Sequence, residues 1–427
     1  MSNESGLFET FESNQFIGMM MKFINDRNKL MDLQCSKLNK TITEKLKECL
    51  SYCLERNTQH RDLNKSIEIE TILDFLHDEL NTGHWSNVPL YVRHNFSTAS
   101  FAKCLILILN KKPEESLELL LKKCLKCLDM GLLLGAPLEN NEDLLTSSAK
   151  YLNQEIGRIT DNPEKRKSHE QGKRKLDHDF KGKFDELKGI ILDSVELPSL
   201  EHFNKTYFLP QQPVKLKGCM EHWPASKKWL DINYLLKIAG DRTVPIEVGS
   251  HYVDENWSQK LMTLREFITR HYLSDSGNVG YLAQHNLFEQ ISELKEDIHI
   301  PEYCCLSTDY ENSTDPDINA WFGPGNTVSP LHHDPKNNIL AQVYGSKQVV
   351  LFSPKDTPYL YPHEDKLLNN TAQVNPIDPD LEKFQEYSKA SMYKCLLEPG
   401  EMLFIPVKWW HHVTSLEKSF SVSFWWQ

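Results

Sequence analysis

The chain has 427 residues, of which 40% are hydrophobic and 25% are charged, a composition typical of globular domains with substantial cores. Its formal net charge of −12 argues against non-specific binding of nucleic acid over the whole surface, and a basic peptide is a better match as a partner. Length alone predicts two or three domains.

The first residues, MSNESGLFETFES, lack the basic and then apolar pattern of a secretory signal, and the longest apolar runs are too short to cross a bilayer. The ten cysteines show no spacing typical of a disulfide framework. We therefore expect a soluble intracellular protein in a reducing compartment, with no membrane partner. Cys124 and Cys127 form a CxxC, but no second pair follows at a zinc-like spacing, so we interpret them as part of a buried helix face.

Residues 1–160 carry the pattern of an all-helical domain. Apolar side chains recur at spacings of three and four residues in three stretches, at 67–85, 98–112 and 113–135. Pro113 suits the first turn of the third helix. The short gaps predict helix pairs in a bundle or a small solenoid, and the sequence leaves open whether this domain is a binding platform or a structural domain.

Residues 161–188 are almost devoid of apolar side chains, which predicts a charged, solvated linker. The linker contains two basic triplets, at 165–167 and 173–175, that are close to a nuclear import signal in composition. On this basis we expect the protein in the nucleus, with the cytoplasm as a second location.

Residues 189–427 change to short β-rich runs with glycine, proline and asparagine between them. Such runs are VPIEVG, NNILAQVYG, KQVVLFSP, EMLFIPV and SFSVSFWW. Short strands separated by turns predict a β-sandwich or barrel, and residues 261–273 would form a helix packed outside it. The expected fold class is α+β, with an N-terminal helical domain followed by a β domain with flanking helices.

Two histidine doublets, in SPLHHDPKNN and in KWWHHV, suggest a metal site. Side chains on a strand alternate between its faces, so His332 and Asp334 can point into a barrel together while His333 points away. Either His411 or His412 can complete a triad of two imidazoles and one carboxylate, the arrangement of non-haem Fe(II) oxygenases. The alternative is a cupin-like barrel whose metal is structural, lost or serves an isomerase.

The wider motif resembles the Jumonji-C branch of the 2-oxoglutarate oxygenases, which are built on a double-stranded β-helix. The resemblance rests on HxD, then a Gly-turn-Lys strand start, then PGxxLFIPxxWxH. The family places its last histidine five residues after the proline of FIP, which selects His411. The stretches GYLAQHNLFEQISELKEDIHIPEYC, INAWFGPGNTVSPLHHDP and LFIPVKWWHHV are similar to a subgroup described both as lysine demethylases and as arginyl hydroxylases.

The resemblance is strong from about residue 190 to the end of the chain and weaker before it. His333 departs from the family pattern, because glutamine is expected in the middle of HxD. The acidic residues 308–317 resemble a variable loop. The resemblance implies that His332, Asp334 and His411 hold the metal, with no catalytic residue beyond this triad.

The resemblance also implies Fe(II), 2-oxoglutarate and O2, with 2-oxoglutarate converted to succinate and carbon dioxide. Lys347, just past the Gly345 turn and on the strand after the HxD strand, would pair with the distal carboxylate of 2-oxoglutarate. A solvent-facing turn lysine is the alternative, and position alone favours it. Further contacts to 2-oxoglutarate are implied at Tyr281, Ser329 and Asn338.

A substrate pocket for arginine needs a carboxylate and flat aromatic surfaces. The subgroup's pocket implies Glu247, Trp257, Gln284 and Trp321 for this role, although Trp321 also fits a core position. We therefore expect a dioxygenase that hydroxylates an arginyl side chain, at its third carbon, in a histone, ribosomal or chromatin-associated protein. The alternatives are a histone N-methyl-lysine demethylase and a non-catalytic chromatin-associated scaffold, and direct binding of nucleic acid is not expected.

Overall fold

The structure, a computed structural model, describes residues 18, 20, 37–55, 62–84, 87–160, 184–249, 257–274, 279–307, 315–365 and 368–427. The chain divides into two compact units. The helical unit holds the described residues up to Thr160 together with Asp241–Thr243 and Glu289–Ser292, and the β unit holds the other described residues. Within the described ranges, no helix is long and apolar enough to cross a membrane. Both basic triplets of the predicted linker lie outside these ranges.

The described part of the helical unit is built from five helices of 16 to 20 residues. They are α1 (Lys40–Glu55), α2 (Leu63–Leu80), α3 (Leu90–Leu109), α4 (Leu117–Leu134) and α5 (Leu144–Thr160). Helix α3 is buried around most of its circumference because α2 and α4 both pack against it. Leucine, isoleucine and cysteine side chains at helical spacing fill the core, as the sequence pattern predicted.

Helix α4 begins later than expected. Residues from Pro113 to Glu115 form a turn, and α4 starts at Leu117, so the placement of Pro113 in the first helical turn was wrong. The CxxC lies within α4. The Cys124 thiol is buried and donates to the carbonyl of Cys104 at 3.6 Å, while burial raises the pKa of Cys127 to about 12. Both thiols therefore belong to the packed helix.

A buried carboxylate on α4 organises the two short later segments of this unit. Arg242 donates through Nε and Nη2 to Oδ1 of Asp129, at 2.9 and 2.7 Å. The backbone N–H of Thr243 donates to Oδ2 at 2.7 Å, and the Gln290 amide donates to Oδ1 at 2.9 Å. Asp129 and Arg242 are both fully buried, so this ion pair is saturated with hydrogen bonds and shielded from water.

The β unit contains fourteen strands in its described residues. They are β1 (Ile190–Ile191), β2 (Ser194–Glu196), β3 (Val214–Lys217), β4 (Thr243–Val248), β5 (Ser258–Thr263), β6 (Gly280–His285), β7 (Asp317–Gly323), β8 (Val328–His333), β9 (Asn337–Tyr344), β10 (Lys347–Phe352), β11 (Tyr393–Leu397), β12 (Met402–Ile405), β13 (Trp410–Ser415) and β14 (Ser419–Trp426). One sheet has the order β1-β11-β10-β13-β8, and the other has the order β2-β3-β12-β9-β14-β7-β6-β4-β5. Two mostly antiparallel sheets with distant strands as neighbours form the expected jelly roll.

Strand β14 shows how the β unit separates its two faces. Phe420 points to the outer face and stacks on Trp229, with ring centroids 4.4 Å apart. Ser423 points to the inner face, where its Oγ accepts from Nε1 of Trp321 at 2.8 Å. Because side chains alternate along a strand, Phe420, Phe424 and Trp426 face the surrounding segments, whereas the serines of β14 and Trp425 are on the inner face.

Short helices surround the two sheets. The α-helical ones are Leu200–Phe203, Ala225–Lys228, Ile232–Ala239, Leu264–Phe267, Leu287–Gln290, Ser292–Lys295 and Thr357–Leu360, with π-helical turns at Asn204–Phe208 and Ile268–Tyr272 and 3-10 turns at Glu302–Cys305, Pro354–Asp356 and Gln385–Lys389. The helix expected at 261–273 starts only at Leu264, because the preceding residues complete strand β5 and Thr263 caps the helix with Glu266. The α+β fold class is confirmed.

Candidate functional site

The structure brings His332, Asp334 and His411 together on the inner face of the jelly roll. Strands β8 and β13 are antiparallel neighbours, and His332 is directly opposite His411, with ring centroids 4.3 Å apart. Asp334 follows the end of β8, and its Oδ2 lies 3.5 Å from Nε2 of His411. One ligand atom from each of the three residues lies within 4.8 Å of the others, so a single metal ion can reach all three.

Main-chain carbonyls fix the tautomer of both imidazoles. Nδ1 of His332 is 2.7 Å from the carbonyl oxygen of Pro330, and Nδ1 of His411 is 3.0 Å from that of Trp409. A carbonyl oxygen only accepts, so Nδ1 is the donor in both rings and Nε2 is the atom that each ring can offer to a metal. Metal-binding histidines in proteins are oriented in this way.

The charge state of the cluster also fits a cation. Burial, with the nearby His332 adding to it, lowers the pKa of His411 to about 4, so this ring is neutral at neutral pH. Oδ2 of Asp334 is buried and has no hydrogen-bond partner among the described residues. A buried carboxylate oxygen without a donor is costly unless a cation binds it.

The second histidine of each doublet lies on the opposite face. His333 is opposite Trp410, and the two rings meet edge to face with centroids 4.7 Å apart. His412 is opposite Val350, which packs in the outer cluster with Trp410. The choice between His411 and His412 that alternation left open is therefore resolved by register, because only His411 is opposite His332.

A β-bulge in β8 decides which other residues face inward. His332 is opposite His411, but Ser329 is opposite Val413, so β8 has one residue more than β13 over this stretch. Strict alternation would put Ser329 and His332 on different faces. The bulge instead turns both toward the interior, next to the inner-face core that contains Val413.

Lys347 is buried on the inner face, with 1% of its surface exposed. It opens β10, so β9 separates it in sequence from the HxD strand, and its expected place on the very next strand was wrong. Its Nζ donates to the hydroxyl of Tyr281 at 3.2 Å. Because its side chain is buried, the alternative of a solvent-facing turn lysine was wrong, and burial lowers the pKa of Lys347 to about 7.

The surroundings of Tyr281 are polar although the residue is buried. Burial raises the pKa of Tyr281, the nearby Glu247 adds to the effect, and the Thr327 hydroxyl acts in the opposite direction. Thr327 in turn donates to the hydroxyl of Ser415, which lies opposite Lys347 on β13. Thr327 and Ser415 were not foreseen, since single hydroxyl residues carry no recognisable spacing.

Asn338 is also buried, and its Oδ1 has no partner among the described residues. It is opposite Trp425, which shares its face of the sheet. Inward-facing strand positions are thus shared by Asn338, Lys347, Tyr281 and Ser329.

The residues expected at the substrate lie on strands β4, β6 and β7 and, for Trp257, directly before β5. Glu247 is opposite Tyr281 in the β4–β6 pair. Burial raises the pKa of Glu247, and the indole N–H of Trp257 acts against that rise, although this N–H completes no hydrogen bond with a described residue. Trp321 is half-buried, with its ring 6.1 Å from that of Tyr281. Gln284 is exposed at a bulge of β6 with φ of 47°.

Two imidazoles and one carboxylate on the inner wall of a jelly roll leave the remaining coordination positions of a metal open. This arrangement is typical of the non-haem Fe(II) oxygenases, whereas a structural metal site would be closed by a fourth protein ligand, and no fourth such residue joins the cluster among the described residues.

Comparison with known proteins agrees with this class. A family model described as a cupin-like domain matches residues 200–427. Lysine-specific demethylase 8 of Danio rerio is 44% identical over 383 residues, which cover 89% of this chain and 92% of that protein. Jumonji C domain-containing protein 5 of Drosophila melanogaster is 40% identical over 363 residues, covering 84% and 86%. Lysine-specific demethylase JMJ30 of Arabidopsis thaliana is 47% identical over 230 residues, covering 53% of each.

The chain therefore belongs to the Jumonji-C family of Fe(II)- and 2-oxoglutarate-dependent oxygenases with a cupin-like domain. This is the family that the motifs around HxD and LFIPxxWxH indicated, and Fe(II), 2-oxoglutarate and O2 are its cofactor and cosubstrates.

Proposed function

We propose that the protein hydroxylates an arginyl side chain, at the third carbon, in protein substrates. The observation that carries this proposal is the pairing of Glu247 with Tyr281, which holds a carboxylate beside two aromatic side chains, Tyr281 and Trp257. A guanidinium is always charged, donates to a carboxylate through two parallel N–H groups and stacks on flat rings. An arginine side chain therefore matches a carboxylate that has aromatic rings beside it.

In this proposal three side chains would hold Fe(II). His332 and His411 would bind it through Nε2, and Asp334 through a carboxylate oxygen. Bound iron would activate O2. One oxygen atom would enter the substrate C–H bond as a hydroxyl group, and the other would enter succinate as 2-oxoglutarate loses carbon dioxide. The protein's part is to orient the reacting groups and to exclude water from them.

We assign the distal carboxylate of 2-oxoglutarate to Lys347 and Tyr281. Lys347 is buried, and no carboxylate contributes to its lowered pKa, so a bound dianion would supply the missing counter-charge. Ser329 and Asn338 are proposed as further polar contacts, and the unpartnered Oδ1 of Asn338 leaves its amide free to turn toward a ligand. Trp321 and Gln284 are proposed as contacts to the peptide substrate.

Glu247 is the residue on which the proposed preference for a cationic side chain in the substrate depends. Burial raises its pKa, so without substrate the carboxyl is easier to protonate than an exposed one. A guanidinium placed against it would favour the ionised form again. Binding energy from this pair would then be used to fix the side chain with one particular C–H bond toward the metal.

Mass spectrometry of peptides after anaerobic loading with Fe(II) and 2-oxoglutarate, followed by admission of oxygen, tests the proposal. A gain of about 16 Da on an arginine, absent in Asp334→Ala, is the expected result for a non-haem iron oxygenase. Peptides in which lysine replaces that arginine are the matched control. Succinate formation without any modified arginine across a broad peptide panel would contradict the proposal.

A second candidate is demethylation of N-methyl-lysine. It is favoured by the names of the relatives from Danio rerio and Arabidopsis thaliana, both of which are called lysine-specific demethylases. An aromatic surround such as Tyr281, Trp257 and Trp321 also suits a methylammonium group. Loss of about 14 Da from methyl-lysine peptides in the same experiment would make this activity primary.

The partners proposed for this chain are arginine-containing proteins, among them histones and ribosomal or chromatin-associated proteins. We also propose nuclear entry through the basic triplets at 165–167 and 173–175, which rests on composition alone. A fluorescent fusion in which both triplets are changed to glutamine should be depleted from the nucleus relative to the unchanged fusion.

A further inference from the structure

The turn at Pro406–Trp409 contacts two of the three triad residues. It connects β12 to β13, directly before the strand that carries the last histidine. The backbone N–H of Lys408 donates to the carbonyl of Asp334 at 2.9 Å. The carbonyl of Trp409 accepts from Nδ1 of His411 at 3.0 Å. One four-residue turn therefore fixes the main chain of Asp334 and the ring orientation of His411.

The shape of this turn depends on contacts from other segments. Lys408 has a φ of 61°, in the left-handed region that disfavours residues with a Cβ, so the turn must be held by its surroundings. The indole Nε1 of Trp409 donates to the main-chain carbonyl of Gln211 at 2.9 Å. From the other side, the backbone N–H of Val407 donates to Oδ1 of Asn337 at 3.1 Å.

The indole of Trp409 is buried as well as hydrogen-bonded. It is 4% exposed and packs in the inner-face core, with its ring centroid 5.7 Å from that of Tyr393. A residue fixed at both its indole N–H and its ring has little freedom in its main chain. The Trp409 carbonyl, which orients His411, is thus held in place through its own side chain.

We infer that Trp409 is a positioning residue for the metal ligand His411, and that its indole hydrogen bond to the 211 carbonyl tunes the affinity of the site for metal. The inference rests on the proposed role of His411 as a ligand. The partner of Nδ1 selects the tautomer and the direction of Nε2, and loss of such a partner costs about 10- to 100-fold in metal affinity in other metalloproteins.

The test compares two neighbouring tryptophans. Trp409→Phe keeps the aromatic ring and removes the N–H. Trp410→Phe is the matched control, because Trp410 is also buried and its Nε1 donates to Thr357 Oγ1 at 2.9 Å, on the outer face at the start of β13. Mn(II), a redox-stable probe for this ligand set, is titrated into each full-length metal-free protein, and the free ion is followed by electron paramagnetic resonance.

We expect Trp409→Phe to bind Mn(II) about five- to tenfold more weakly than wild type, below the range for full loss of an outer partner because the carbonyl remains. Trp410→Phe should stay within about twofold of wild type. Urea midpoints of the two variants should fall by similar amounts, because each loses one part-buried indole hydrogen bond. Equal Mn(II) affinities for the two variants would overturn the inference.

Asn337→Ala provides a second variant if Trp409→Phe does not fold, since it releases the Val407 N–H from the same turn. The same weakening of Mn(II) binding is expected, and wild-type affinity in this variant counts against the inference. Asp334→Ala separates the two proposals. If wild type and Asp334→Ala bind Mn(II) equally, the metal site itself is misassigned and the inference fails with it.

Discussion

Lys347 donates a hydrogen bond to the hydroxyl of Tyr281 at 3.2 Å, at the inner end of a jelly roll where both side chains are buried. Burial alone lowers the pKa of the lysine to about 7. A buried cation without a counter-charge destabilises the fold, and a bound dicarboxylate would remove that cost. This relationship leads to a prediction about the stability of the ligand-free protein and to another about proton uptake when 2-oxoglutarate binds.

Replacing Lys347 by methionine should stabilise the ligand-free protein at pH 7, by about 1–3 kcal/mol. The unfolded lysine titrates near 10.5 and the folded one near 7, so the destabilisation is complete below pH 7 and disappears as pH rises toward 10.5. The advantage of Lys347→Met should therefore shrink between pH 7 and 10. Urea unfolding across this range measures it.

The matched control is Lys394→Met. Lys394 is also buried, but its Nζ donates to the carbonyl of Phe184 at 2.8 Å, so its loss should lower stability. Addition of 2-oxoglutarate should stabilise wild type and Lys394→Met and leave Lys347→Met unchanged. Stabilisation of Lys347→Met by 2-oxoglutarate would contradict the assigned role of the lysine.

Binding of 2-oxoglutarate at pH 8 should take up protons. Because the pKa of Lys347 is about 7 before binding, most molecules carry a neutral amine at pH 8, and a carboxylate at hydrogen-bond distance would raise that pKa. Calorimetric titrations in phosphate and in Tris, which differ in ionisation enthalpy, should give different apparent enthalpies at pH 8 and similar ones at pH 6. Equal enthalpies in both buffers at pH 8 would mean that no proton is taken up.

Glu247→Gln should lower kcat/KM for an arginine peptide by about 10- to 100-fold, the loss expected when a charged hydrogen-bond partner of a guanidinium is removed. Glu247→Asp keeps the charge and should recover part of that loss. Steady-state assays of peptide hydroxylation with the two variants decide the matter. A methyl-lysine peptide that outperforms the arginine peptide in wild type would instead favour the demethylase candidate.

Asp129→Ala should destabilise the helical unit by about 3–5 kcal/mol, because it leaves the Arg242 guanidinium buried without its counter-charge. The double variant Asp129→Ala with Arg242→Met should recover much of the loss, since both charges are then absent. Differential scanning calorimetry follows this change. A double variant as unstable as the single one would show that hydrogen bonds to Asp129, and not the unpaired charge, dominate.

Much of the β unit could be predicted from the sequence because its strands are strongly patterned. NNILAQVYG and SFSVSFWW became β9 and β14 almost residue for residue. The metal cluster followed from alternation and a motif, since His332 and Asp334 are two positions apart. Alternation failed at Ser329, because the bulge that turns it inward depends on how β8 pairs with β13 and leaves no local signal.

Contacts between segments that are distant in the chain could not be predicted from the sequence, because they too leave no local signal. Asp129 and Arg242 are more than a hundred residues apart, and neither stands out in its own stretch. The role of Trp409 was hidden by its neighbour, because KWWHHV contains two tryptophans and only the structure shows that Trp409 ends the turn while Trp410 opens β13. The helix boundary at Leu117 was missed because Pro113 and two following glutamates fit the start of a helix equally well.

The doublet 332–333 offers the most direct test of the central claim, that the first histidine of each pair holds the metal of an arginyl hydroxylase. His332→Gln and His333→Gln make the same chemical change on opposite faces of one strand. With Fe(II), 2-oxoglutarate, O2 and an arginine peptide, we expect wild type and His333→Gln to give the product about 16 Da heavier, and His332→Gln to give none. Product from His332→Gln, or its loss only in His333→Gln, would contradict the account.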